Sequence, residues 1–145
     1  MPIVEQKQNV MVSVSLNNID SFTYLISIPF IADEVIVKGA QIFYNSAGFF
    51  GDINNIVCII SSDLVDNQNL CYVPLQNEIY SSNTALTADQ IVIPAAFSAP
   101  NLTFQFHTPK KINSSFNFYL KKINSSSYSL TGAVMLMLEF VKYKH

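Results

Sequence analysis

The chain alternates. In Asn9–Leu16, NVMVSVSL, Val10, Val12, Val14 and Leu16 share one face of an extended segment; Asn9, Ser13 and Ser15 fall on the other. Period two is the mark of a half-buried strand. Asn17-Asn18 follows as turn chemistry. Ser21–Phe30 alternates again through Phe22, Tyr24, Ile26 and Ile28, and Pro29 ends the ladder or sits on an edge. Glu34–Tyr44 is apolar on both faces in its first half. Short apolar segments recur at 56–61, 70–73, 91–93, Leu102–Phe106 and Phe116–Leu120. Ser62–Asn69 is polar, with room for one helical turn capped by Ser62. No stretch sustains a helical period.

The last long segment, Ser129–Tyr143, organises the rest. Val134, Leu136, Leu138 and Phe140 point one way; Ala133, Met135, Met137 and Val141 point the other, interrupted by Glu139. A strand apolar on both faces must be covered on both. The uncharged face belongs to a core. A carboxylate is seldom fully buried without a partner, so the other face lies outside the core, yet it is too apolar for plain solvent. Methionine suits adaptable protein contacts. The expected assembly interface is therefore Met135, Met137 and Glu139.

Nine short strands separated by Asn, Ser and Pro give an all-β chain, expected as a single jelly-roll sandwich of two four-stranded antiparallel sheets with an extra N-terminal strand. An immunoglobulin-like sandwich is the structural alternative, but the chain has no Trp for its Cys…Trp…Cys pattern. At 145 residues one domain is expected, with residues 1–8 as an N-terminal arm and 9–145 as the jelly roll.

Composition sharpens this picture. Half the residues are hydrophobic and only 12% are charged, about half the usual share. That leaves little to keep a monomer soluble and points to surface buried in partners. A net charge of −2 gives no argument for nucleic acid or an anionic membrane as a partner. All basic residues are lysine, and with abundant Asn and Ile this suggests an A/T-rich gene. Lys110-Lys111 and Lys121-Lys122 stand roughly 30 Å apart along an extended chain, two spots rather than one basic patch. Met1–Gln6 lacks a basic start followed by an apolar run, so no signal peptide is expected. Cys58 and Cys71 are then expected as reduced, buried thiols.

Candidate chemistry is thin. A hydrolytic triad needs a histidine beside a nucleophile; the chain has His107, before Thr108-Pro109, and His145. Asp63, Asp66, Asn67 and Asn69 crowd oxygen ligands without EF-hand spacing. No zinc spacing and no Gly-rich phosphate cradle is present. No enzyme activity, cofactor, metal or small-molecule substrate is expected.

Ser21–Ser46 resembles the opening of the small capsid proteins of the polinton, virophage and large DNA virus lineage. The matching residues are Phe22, Tyr24, Ile28-Pro29, Asp33, Val35, Val37 and Tyr44. Leu102–Phe106 and Val134–Tyr143, with Leu138-Glu139-Phe140, resemble the closing strands of that family. The matches cover roughly half the chain, and Gly51–Ser98 carries none. The resemblance implies a single jelly-roll capsid protein, the pentameric vertex subunit or penton, or a related minor component. Its partners would be copies of itself and neighbouring major capsid proteins, and its place the virion, after synthesis in host cytoplasm. A lectin-like or trimeric ligand-type binding module is the alternative.

Overall fold

The structure is a computed structural model and describes residues 2–44, 57–75, 93–94 and 102–145. Its strands are β1 (Val4–Ile19), β2 (Ser21–Tyr44), β3 (Val57–Ser62), β4 (Gln68–Pro74), β5 (Ile93–Pro94), β6 (Leu102–Lys121) and β7 (Leu130–Tyr143). The helical element among the described residues is one 3-10 turn, Asp63–Val65. Ser62 caps it, the hydroxyl accepting from the Leu64 amide at 3.1 Å.

All pairings among the described residues are antiparallel, and the hydrogen-bonded order is β1-β7-β2-β6-β3-β4. The registers resolve that path into two leaves. Glu34–Tyr44 of β2 pairs with β7, and β7 with β1, while Glu34–Val37 also pairs with Leu102–Gln105 of β6. Ser21–Ser27 of β2 pairs instead with Asn113–Tyr119 of β6, which continues to β3 and β4. Each leaf therefore has four strands, with β2 and β6 running through both. This is the jelly roll expected from the alternation. β1 is the outer strand of the first leaf; the piece beyond the eight is the two-residue β5, paired to Phe43-Tyr44.

The corner where β2 and β6 change leaf has a local cause. Three β2 residues, Ile28–Phe30, face the single residue Ile112; four β6 residues, Phe106–Pro109, face the single residue Asp33. Such excesses bend a strand. Pro29 and Pro109 sit inside them, where no ladder N–H is required. Pro29 thus bends the strand instead of ending it.

Inward parity confirms the bend. Ile26, Ile28, Phe30 and Ala32 are buried, then Val35 and Val37, then Ala40 and Ile42. The first change of parity is the corner. The second is a bulge at Lys38, since Val37 opposes Leu138 while Gly39 opposes Met137. One cluster of buried side chains from both leaves fills the space between them.

One boundary differs from the sequence reading. Residues 4–8, set apart there as an arm, continue β1, with Val4 opposite Tyr143 and Gln8 opposite Phe140. The alternation is masked there by the polar run Glu5–Asn9. The segments before and after Ile93-Pro94, and the loop through Phe49-Phe50, lie outside the described residues.

Cys58 and Cys71 are free thiols in the core. Burial pushes both up, Cys71 to about 12 and Cys58 further because Cys71 adds its own charge. Thiols held protonated in this way are inert packing groups at neutral pH.

Candidate assembly face

Strand β7 sits between β1 and β2, so its side chains meet neighbours on both sides. Val134, Leu136, Leu138 and Phe140 are fully enclosed, as the uncharged face requires. The opposite face is the outside of the first leaf. On it Met137 lies directly between Met11 of β1 and Gly39 of β2, Met135 between Ser13 and Gln41, and Glu139 between Asn9 and Ile36. Met135, Met137 and Glu139 are thereby brought to one surface. Val141, grouped with them by parity, is buried instead; it lies in register between Lys7 and the enclosed Glu34.

Met11 is 43% and Met137 41% exposed, side by side. Next to them is an open depression of about 300 Å³, lined by Asn9, Met11, Lys38, Met137 and Glu139. Its shape follows from two local features. Gly39 contributes no side chain opposite Met137, and the bulge adds Lys38 to the exposed surface. With Ile36 and Phe43 half-buried on the same side, this face contrasts with the outside of the second leaf. There the central positions are Ser21, Thr23, Ser27, Ser115 and Asn117, with Leu25 and Tyr119 among them.

Sequence reasoning missed Met11 and Lys38. Met11 interrupts the polar face of Asn9, Ser13 and Ser15, and that break was a usable signal. The Lys38 bulge left only a weak one, the small pair Gly39-Ala40.

A second cluster stands at the corner. Glu34 is 3% exposed, and its carboxylate accepts from the Tyr143 hydroxyl. Asp33 accepts from the Tyr143 amide at 2.8 Å and meets the His145 ring at 3.1 Å. His107 lines the same cavity, of about 310 Å³. These contacts fasten the end of β7 to the bend in β2. The hydrogen bond to Glu34, then burial, then the charges of Glu34, Asp33 and Glu139 push Tyr143 up to about 12. The tyrosine is thus favoured neutral in the folded state. Its contribution is present below about pH 10, the free tyrosine value, and is lost as pH rises toward 12. Tyr143→Phe is expected to be less stable than the native chain at pH 8. Unfolding titrations at rising pH are expected to show the gap closing between pH 10 and 12. A gap unchanged at pH 12 would contradict the assignment.

The other candidate groups have local roles. Asp63 accepts from both the backbone amide and the side-chain Nδ2 of Asn117, each at 2.9 Å. Asn69 donates to the Tyr72 hydroxyl. These oxygens and amides tie the β3–β4 connection to its own chain, and no set of three metal-ligating side chains gathers among the described residues. The Lys110 amine donates to the Leu64 carbonyl at 3.1 Å and lies 5.5 Å from the Phe106 and Phe116 rings. Lys122 lies over Tyr128. Lys111 pairs opposite Ile31 and Lys121 opposite Ile59.

No protein-family model matches the chain, and no curated protein matches it. Among solved structures it is similar to the Drosophila NLP-core, whose description concerns pentamer formation and histone binding, with TM-score 0.41 and 11% identity. That match covers 96% of this chain and all of the other. The capsid asymmetric unit of cyanophage Pam1 gives 0.31 and 10%, covering 94% of this chain and 83% of the other. The structure of infectious bursal disease virus Gt strain gives 0.29 and 12%, covering 94% and 37%.

Proposed function

We propose that this chain is a structural subunit of a viral capsid, and that its place is the five-fold vertex of an icosahedral DNA virus or virophage. The observation that carries the reading is the outer face of the first leaf. Met11, Met135, Met137 and Ile36 make it too apolar for a free surface, and the chain's described residues do not cover Met11 or Met137. A chain with 12% charged residues gains solubility when that face is covered by protein. The jelly roll itself is neutral on function, since the same fold serves shells, lectins and enzymes. The family likeness of Phe22–Tyr44 and Leu138-Glu139-Phe140 turns the choice toward a shell. In this reading Met135, Met137 and Glu139 contact a neighbouring copy or a major capsid protein, the subunit is made in host cytoplasm, and it ends in the virion without cofactor or substrate.

Copy number tests the proposal. The native mass of the purified protein is expected to correspond to five chains or a multiple of five. Three chains would favour a trimeric ligand-type module instead, and a monomer at all concentrations would overturn the assembly reading.

A further inference from the structure

The depression on the outer face of the first leaf is lined by one cation, Lys38, and one anion, Glu139. Among the described residues the ion pairs are Lys142 with Glu5 and His145 with Asp33. Lys38 and Glu139 line the same depression without meeting. Lys38 is there because of the β2 bulge, and the missing side chain at Gly39 opens the notch beside Met137.

A contact between two identical copies across a twofold axis presents the same patch on both sides, so the patch must complement itself. A patch of one sign repels its copy. A patch with one charge of each sign beside an apolar ridge does not, because half a turn sets each lysine over the other copy's carboxylate. Taking this face as an assembly surface, as proposed above, we infer that it docks a second copy of the same chain. Lys38 of each copy meets Glu139 of the other, with Met11 and Met137 packed beside the axis. Such a contact closes on itself. It joins two five-membered rings into ten chains, and is separate from the head-to-tail contact that builds each ring.

Charge reversal tests the pairing. Lys38→Glu leaves the depression lined by acidic groups alone, and Glu139→Lys by basic groups alone. Each variant, checked for native circular dichroism, is expected to self-associate through this face about tenfold or more weakly, as read by sedimentation velocity. An equimolar mixture of the two is expected to associate like the native chain, because the carboxylate introduced in one variant then faces the amine introduced in the other across the contact. A native-like single variant, or a mixture that stays dissociated, overturns the inference. Met137→Lys separates it from the reading beneath it. If Met137→Lys dissociates while the mixture fails, only the twofold pairing falls. If Met137→Lys associates normally, both fall.

Discussion

Leu136→Ala is expected to lower the free energy of unfolding by about 2–5 kcal/mol, the range for removing a large buried aliphatic group. The side chain has no exposed surface, and its strand is flanked on both sides, by Val12 of β1 and Ala40 of β2. Neither neighbour has spare reach to refill the gap, so the upper half of that range is expected. Met137→Lys, one position along, is expected to stay within about 0.5 kcal/mol of native, as surface changes do. Its effect is expected in assembly, where a lysine enters an apolar contact. Denaturant unfolding of the isolated chain and sedimentation of the assembled protein read the two effects separately. If Met137→Lys unfolds the chain and Leu136→Ala is harmless, the two faces of β7 are assigned the wrong way round. If both assemble normally, the partner surface lies elsewhere.

Phe118→Ala is expected to cost about 3–5 kcal/mol. Phe118 is the centre of the second leaf, on β6 between β2 and β3, and is fully buried. Its ring stacks on Phe22 directly across the ladder, with centroids 5.2 Å apart and planes 11° from parallel. A stacked pair adds about 0.5–1.5 kcal/mol beyond its buried area, so losing the ring removes a specific contact as well as apolar surface. Tyr119→Ala, on the outward side of the same strand, is expected to stay within about 0.5 kcal/mol. Chemical denaturation curves of the two variants check the contrast, and equal losses would show that β6 is inserted with the opposite register.

What the sequence made legible was whatever repeats with period two. The inward residues Val12 and Leu16, Phe116, Phe118 and Leu120, and Val134, Leu136, Leu138 and Phe140 are buried, with Val10 and Val14 partly buried against the same core, because each set is long enough to fix its own parity. The helical turn after Ser62 was legible from its cap. What escaped was set by partners far along the chain. The fusion of two expected strands into β2, and of two more into β6, depends on bulges placed opposite one another at Ile28–Phe30 and Phe106–Pro109. Pro29 alone reads as a terminator, and only its bulged pairing makes it a bend. Glu34 in the same way reads as a strand-end charge, although Tyr143, over a hundred residues later, accounts for its burial. For the candidate face, Met135, Met137 and Glu139 were legible from one strand. Met11 and Lys38 join them only through the registers of β1 and β2 with β7.

The most direct measurement is the oxidation of Met11 and Met137 by peroxide, followed residue by residue in the assembled protein and in chains dissociated by dilution. Both side chains are more than two-fifths exposed in the single chain, and exposed thioethers convert readily to sulfoxide. If the outer face of the first leaf is the assembly surface, both are expected to react several-fold more slowly in the assembly. Equal oxidation of both methionines in the two states would contradict the account.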